Sequence, residues 1–386
     1  MSLFKKTILP GQTIGIIGGG QLGRMMAISA KQAGFRVAVL DPSPNSPCAQ
    51  VADVIITAQY DHYDALYRLA EECAVITYEF ENIDYEALKW LNERAYIPQG
   101  AELIRITQDR IQEKAALSLA GVEVAPYAVI NQFTDIYDNI EKLGLPAVLK
   151  TSRGGYDGKG QYVIKEEKDI EEACKLLESG PCVLEKWIPF EKEISVIVTR
   201  NGSGELTHFP VVENIHIDNI LHQTIAPARV DDSVFSKAVS MARMISETLD
   251  LVGTLAIEMF LTSDGTIYIN ELAPRPHNSG HYTIEACDHS QFSHHIRAIC
   301  NWPLEQPSLL KNAVMVNLLG EHLEEAIKEI PSNPQWFFHL YGKDAAKHKR
   351  KMGHITVLTD NLDDTLASLD DSSIWKEKEK IGGNEE

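Results

Sequence analysis

The sequence predicts a protein of mixed α/β and α+β class, with a parallel sheet at its N-terminus followed by a small mobile unit and a β-rich C-terminal half. Three observations predict it. Short apolar strands alternate with helical periodicity over the first hundred residues. A glycine- and lysine-rich loop separates two short strand patterns near residue 155. Beyond residue 193, segments rich in Val, Ile, Phe and Thr alternate in polarity as antiparallel strands do.

In chain order, residues 13–18 read as a buried strand, followed by a glycine turn and a helix to about Ala33, then a strand over 36–40 that ends at Asp41. Strand patterns at 54–57 and 74–78 continue the β-α-β rhythm and imply a parallel-sheet domain over 1–107. An amphipathic helix is expected over 108–120. Strands at 146–151, 160–164 and 182–187, with a helix over 168–178, complete a small lid unit over 108–190. Strands at 193–199, 206–213, 254–262 and 266–272 form a second sheet over 191–300. Residues 301–386 read as short strands and loops, closing on a charged, solvated tail from Lys376.

Composition narrows the function. The 386 residues are 44% hydrophobic and 24% charged, with no apolar run of the length a membrane span requires, so a soluble protein is expected. A formal charge of −19 argues against nucleic-acid or anionic-membrane partners and requires a local basic patch for any anionic substrate. Six scattered cysteines without a C-x-x-C pair, and an N-terminus without a cleavage site, fit a cytoplasmic protein with reduced thiols.

Gly18-Gly19-Gly20-Gln21-Leu22-Gly23 satisfies G-x-G-x-x-G between a strand and a helix, with Asp41 about twenty residues further on. Alone this suggests a dinucleotide-binding dehydrogenase. The physics is more general, because glycines bring backbone N–H groups to an anion at a helix N-terminus, and they also permit a tight turn with no ligand at all. The second loop, Arg153-Gly154-Gly155-Tyr156-Asp157-Gly158-Lys159-Gly160-Gln161, follows Lys150 at a strand end. Four glycines flanked by cations make a lid that can fold over phosphates, and it is not a P-loop because G-x-x-x-x-G-K-[ST] is absent.

A metal site is expected downstream. If Asp264-Gly265 forms a two-residue hairpin loop, Ser263 pairs with Thr266, and Glu258 falls directly opposite Glu271. Opposed carboxylates on otherwise apolar strands repel unless solvent or a cation lies between them, and oxygen ligands beside phosphates suit Mg2+. Strict alternation turns Asn270 to the other face, so a local bulge is needed for it to join the site.

With these residues in place, the chain resembles the ATP-grasp superfamily, and within it the 5-(carboxyamino)imidazole ribonucleotide synthetases. The resemblance spans nearly the whole chain, through residues 15–25, the Thr77-Tyr78-Glu79-Phe80-Glu81-Asn82-Ile83 segment, the lid, Glu185-Lys186-Trp187-Ile188, and the run from Asn270 to His281. It implies an ATP-grasp fold with a Rossmann-like N-terminal domain, ATP and Mg2+ as cofactors, aminoimidazole ribonucleotide and bicarbonate as substrates, and a homodimer. ATP would be held by Arg110, Lys150, the lid residues Gly155, Tyr156, Asp157, Gly158, Lys159, Gly160 and Gln161, then Glu185, Lys186, Trp187, Ile188, Glu193 and His216, with Asn270 and Glu271. Glu258 and Glu271 would carry the metal.

The same resemblance implies that the ribonucleotide meets Gln21, Leu22 and Glu79, with Lys343, Arg350 and Lys351 supplying the basic patch; Lys347 and Lys349 are expected to be solvated. Tyr156, Arg275, His277 and Asn278 would stand at the reacting groups, Arg275 and His277 binding the bicarbonate-derived anion. His277 and His281 are four apart, but Pro274, Pro276 and Gly280 argue against the helix that would align them on a zinc ion. The implied reaction is ATP-dependent activation of bicarbonate and its capture by the exocyclic amine. Another ATP-grasp ligase, such as a formate-using glycinamide ribonucleotide transformylase, is the nearest alternative; a nicotinamide dehydrogenase or a non-catalytic nucleotide-binding regulator is more distant.

Overall fold

The computed structural model describes residues 6–155 and 158–375, so the charged tail expected from Lys376 lies outside the described residues. Four parallel strands open the chain, β1 (Thr13–Ile17), β2 (Arg36–Asp41), β3 (Val54–Thr57) and β4 (Val75–Tyr78), in the order β3-β2-β1-β4. Both faces of this sheet are covered. Ile14, Ile16, Val37 and Val39 pack into one cluster, while Ile17, Ala38, Leu40 and Ile76 pack into another on the opposite face. That two-sided burial is why these strands read as continuous apolar runs rather than alternating ones.

A second sheet of four strands is antiparallel, with β5 (Tyr127–Ile130), β6 (Ala147–Thr151), β7 (Gln161–Ile164) and β8 (Cys182–Lys186) in the order β5-β8-β6-β7. The helix expected over 168–178 is not continuous. It is a 3-10 turn at Glu167–Asp169, a single α turn at Ile170–Ala173 and a 3-10 segment at Cys174–Ser179, with only Ile170 and Ala173 buried beneath it. So short an apolar stripe anchors one turn, and the tighter 3-10 winding takes up the rest.

The remaining strands form one sheet of nine. They are β9 (Phe190–Arg200), β10 (Leu206–His208), β11 (Val212–Ile217), β12 (Ile220–Ala226), β13 (Gly253–Thr262), β14 (Ile267–Ala273), β15 (Asn312–Leu319), β16 (Trp336–Leu340) and β17 (Lys351–Thr359). Their order is β14-β13-β9-β11-β12-β15-β17-β16, with β10 on the side of β9. The strand expected over 206–213 is two strands, interrupted by Pro210, which has no N–H to give a ladder. The segments after residue 300 are longer than expected: β15 pairs with β12 and β17 with β15, so they extend the same sheet.

The turn between β13 and β14 also differs from expectation. The Thr262 N–H donates to the Thr266 carbonyl, and the Gly265 N–H donates to the Thr262 carbonyl at 3.0 Å, giving a three-residue loop with Gly265 at φ +80°. This offsets the register by one. A bulge between Glu258 and Met259 offsets it back, because Met259 pairs with Ile269 while Glu258 pairs with Glu271, leaving Asn270 as the extra residue. The predicted carboxylate pair is therefore present, reached through two deviations that cancel.

Candidate active site

A cleft of about 410 Å3 lies between the small antiparallel sheet and the nine-stranded sheet, within the size range of nucleotide sites. From the small sheet, β6 carries Lys150 and β8 carries Glu185. Glu185 is buried and takes two ammonium groups, Lys150 at 3.0 Å and Lys114 at 3.1 Å. Burial alone would raise its carboxyl, but the two lysines outweigh it and hold it below the ordinary value. Lys114, 2% exposed, is not marked by any motif; the one signal for it is a lysine on the inward-turning face of the helix Arg110–Leu119.

Arg110 opens that helix, whose first turn is capped by Asp109. The Asp109 carboxylate also accepts from Ser152 Oγ at 2.8 Å and Arg153 Nε at 3.1 Å, which ties the helix start to the base of the glycine loop. Arg110 donates to the carbonyls of Thr151 and Gly155. The Gly160 carbonyl accepts from Thr151, Gln161 pairs with Lys150, and Gly158, Lys159 and Gln161 line the cleft. Gly158 has φ +78°, which favours glycine, and a Cβ there would lie 2.6 Å from the Asn219 amide nitrogen, so the Asn219 side chain would have to shift to admit one. Tyr156 and Asp157 lie outside the described residues.

After β8 the chain passes along the cleft, with Lys186 exposed, Trp187 40% exposed and Ile188 buried. Phe190 stacks on Phe260 with ring centroids 4.6 Å apart and planes within 9°. This apolar floor suits a flat heterocycle, and nothing in the local sequence singles out either phenylalanine. Glu193 stands 3.2 Å from His216; burial works against the charged imidazole, but the neighbouring Glu193 carboxylate outweighs it and raises the ring's pKa.

Glu258, Asn270 and Glu271 line the same cleft. Burial, reinforced by the charge of Glu271, pushes the Glu258 carboxyl up to about 7. Glu113 is pushed up to about 8 by the same two causes, and its Oε1 accepts the Leu272 N–H at 2.8 Å beside the bulge. Among the described residues no three His, Cys, Asp or Glu side chains are arranged to hold a metal by themselves. Two facing carboxylates beside an amide fit a hard cation that completes its shell with phosphate oxygens and water.

At the far end of the cleft, Arg275 makes a two-pronged pair with Glu81, Nε to Oε2 at 2.6 Å and Nη2 to Oε1 at 3.1 Å. Burial would raise Glu81, but the guanidinium keeps it below the ordinary carboxylate range. In the sequence Glu81 stands out only as part of the segment 77–83. His277 Nε2 lies 3.3 Å from Glu258 Oε1. Both polar atoms of the Asn278 side chain are buried without a protein partner, which in a cleft marks a place for ligand. Lys351 lines the cleft as well, whereas His281 is buried against Phe292 and His354.

The first glycine loop is occupied by the protein itself. Glu79 accepts the N–H groups of Gly20 and Gly23, the latter at 2.6 Å, and Asp41 accepts that of Gly19 at 2.7 Å. Asp41 also accepts from Ser43 and Tyr60, which leaves it poorly placed for a ribose and removes the support for a dinucleotide site. Gly18, at φ +99°, admits Glu79: a Cβ there would come within 2.5 Å of its side chain. Gln21 begins the helix Gln21–Gln32 partly exposed, and Leu22 packs into the core. Lys343 donates to the Lys351 carbonyl at 2.7 Å, and burial with Arg350 nearby pushes its ammonium down to about 8. Arg350 is exposed and donates to the Ala345 carbonyl. Lys349 pairs with Asp218 at 2.9 Å on the surface. The cleft thus gathers Arg110, Lys150, Lys351 and Arg275 about paired carboxylates, an arrangement able to bind a polyphosphate with a divalent cation.

Three family models match the chain: the ribonucleotide synthetase preATP-grasp domain over residues 11–108, the ATP-grasp domain over 115–292, and the phosphoribosylaminoimidazole carboxylase C-terminal domain over 313–368. The N5-carboxyaminoimidazole ribonucleotide synthase of Bacillus subtilis is 54% identical over 369 residues, covering 95% of this chain and 96% of the relative. A solved N5-carboxyaminoimidazole ribonucleotide synthetase in complex with ADP superposes with a TM-score of 0.94 at 56% identity, covering 96% and 98% of the two chains. The Aspergillus clavatus enzyme, solved with ADP and 5-aminoimidazole ribonucleotide, gives 0.87 at 35% identity over 93% and 96%.

Proposed function

This chain belongs to the N5-carboxyaminoimidazole ribonucleotide synthase family of ATP-grasp ligases, and from that premise we propose how its cleft carries out the family's reaction. The protein is an ATP-dependent ligase of purine biosynthesis that carboxylates 5-aminoimidazole ribonucleotide. The carbon source is bicarbonate, Mg2+ is the metal, and the working form is a cytoplasmic homodimer. The observation that carries the site reading is the convergence of Lys150, Arg110, Arg275 and Lys351 on the Glu258–Glu271 pair in one cleft.

Adenine lies on the Phe190–Phe260 floor against Trp187 and Ile188, with the backbone around Lys186 reading its edge. Glu193 holds the ribose hydroxyls, and His216, kept basic by Glu193, stands over the phosphates. Arg110, Lys150 and the lid from Gly155 to Gln161 neutralise and cover the phosphates. Mg2+ held by Glu258 and Glu271 would neutralise charge on the phosphate oxygens.

Bicarbonate is an anion without a good leaving group, so it is first phosphorylated by ATP to carboxyphosphate, with ADP as the other product. Arg275 and His277 hold this anion, and Glu81 keeps the guanidinium in its plane. The exocyclic amine then attacks the carboxyl carbon, phosphate departs, and the amine's proton is lost to give the carbamate. Asn278 supplies an amide to the reacting groups, and Tyr156 serves them from the lid. Glu79, Gln21, Leu22, Lys343, Arg350 and Lys351 bind the ribonucleotide. The lid excludes water because carboxyphosphate hydrolyses readily.

The test is isotopic. Labelled bicarbonate should enter the acid-labile carbamate in a one-to-one ratio with ADP. Label-free product, or carbamate formed at the same rate without added bicarbonate, contradicts the bicarbonate assignment.

A further inference from the structure

Behind the cleft, a row of buried hydroxyl and amide groups crosses the nine-stranded sheet and ends on His277. Ser195 of β9 lies opposite Glu258, and Asn214 of β11 lies opposite Thr224 of β12. Ser195, Thr224 and Ser279 are fully buried and Asn214 is 5% exposed. Ser279 Oγ lies 2.9 Å from both His277 Nδ1 and Ser195 Oγ. Ser195 Oγ in turn accepts from Asn214 Nδ2 at 2.9 Å, and Asn214 Oδ1 accepts from Thr224 Oγ1 at 3.0 Å. Apolar residues of the same shape at these positions would be close to neutral for stability, so the row is not accounted for by folding alone.

One fixed donor sets the direction of the whole row. The backbone N–H of Ser279 donates to His277 Nδ1 at 3.3 Å, and a backbone amide has no other role available to it. Nδ1 is therefore an acceptor, and the ring proton sits on Nε2. The Ser279 hydroxyl also gives its proton to Nδ1, so its oxygen accepts from Ser195, Ser195 accepts from the Asn214 amide, and the Asn214 carbonyl accepts from Thr224. Every group in the row is satisfied in this one sense. Gln291, fully buried, grips the peptide groups on either side of His277, accepting its N–H at 2.8 Å and donating to its carbonyl at 2.7 Å.

We infer that Ser279, Ser195 and Asn214 are positioning residues that hold His277 in the Nε2–H tautomer, so that it serves as a hydrogen-bond donor to the carboxyl-derived anion rather than as a base. The inference deepens the assignment of His277 as an anion binder and rests on it for its catalytic meaning. The tautomer, however, belongs to the resting protein and is read without turnover, so the two ideas can fail separately.

The experiment is long-range 15N–1H correlation on the resting enzyme labelled at histidine, with the His277 signals assigned by their loss in His277→Gln. The proton is expected on Nε2; a proton on Nδ1 overturns the inference. Ser279→Ala removes the closer donor to Nδ1, the hydroxyl at 2.9 Å, and leaves only the backbone N–H at 3.3 Å; it is expected to lower kcat about tenfold with KM for ATP within about twofold, and to let some Nδ1–H signal appear beside Nε2–H. Ser195→Ala, one step further out, is expected to lower kcat about threefold and keep the Nε2–H pattern. Wild-type kcat and an unchanged ring pattern in both variants overturn the inference, and if Ser279→Ala fails to fold, the wild-type spectrum and Ser195→Ala still decide it.

Discussion

Replacing Glu258 by glutamine should stabilise the metal-free protein while disabling it. Glu258 faces Glu271 across β13 and β14, and burial followed by that neighbouring charge moves its carboxyl from 4.5 to about 7. At about 1.4 kcal/mol for each tenfold, ionising it in the folded protein costs about 3 kcal/mol. The folded pKa lies above the unfolded one, so the native state binds the extra proton between the two values, and stability falls as pH rises from 4.5 to about 7. The cost is absent at pH 4 and fully present at pH 8. The substituted amide would carry no charge, yet keeps an oxygen to accept from His277 Nε2, which lies 3.3 Å from the Glu258 carboxylate. Glu258→Gln should therefore exceed the wild type by up to about 3 kcal/mol at pH 8 in EDTA, with the gap closing on acidification. Urea unfolding in EDTA at pH 5 and pH 8 measures this, and Mg2+ with ATP should stabilise the wild type far more than the variant. A variant no more stable than wild type at pH 8 would refute the reasoning from opposed carboxylates.

Other perturbations test other parts of the cleft. Glu185→Ala leaves Lys114 and Lys150 without their shared carboxylate, and should cost about 3–5 kcal/mol in chemical denaturation. Arg275→Lys loses the two-pronged contact to Glu81 and should lower kcat about 100-fold in steady-state assays while the melting temperature moves little. Gly158→Ala forces a Cβ toward Asn219 at positive φ and should raise KM for ATP severalfold, with part of the loss recovered by adding Asn219→Ala, as ATP titrations would reveal.

The elements that could be read from sequence were those whose burial is local. β1, β2 and β3 sit where their apolar runs and turns put them, because both faces of that sheet are covered by the adjacent helices and each strand needs only its own pattern. The Glu258–Glu271 pairing was legible because the hairpin is local, although a three-residue loop shifts the register by one and a bulge between Glu258 and Met259 shifts it back. The union of β12 with β15 was not legible, since their partners are about ninety residues apart in sequence and no local pattern records such a pairing. Within the site, charged residues in glycine-rich or hairpin contexts stood out. Lys114, Glu81, Phe190 and Phe260 did not, because each looks locally like an ordinary helix or strand residue and acquires a role only from a partner distant along the chain, or across the sheet. The glycine loop's pattern left open which anion its N–H groups meet, because those partners are distant in sequence: Gly19, Gly20 and Gly23 donate to the chain's own Asp41 and Glu79.

The most direct measurement is ADP formation from ATP, Mg2+ and bicarbonate, with and without 5-aminoimidazole ribonucleotide, beside glycinamide ribonucleotide with formate. Strong stimulation by 5-aminoimidazole ribonucleotide alone is the predicted result. Stimulation only by glycinamide ribonucleotide with formate, or by neither, would contradict it.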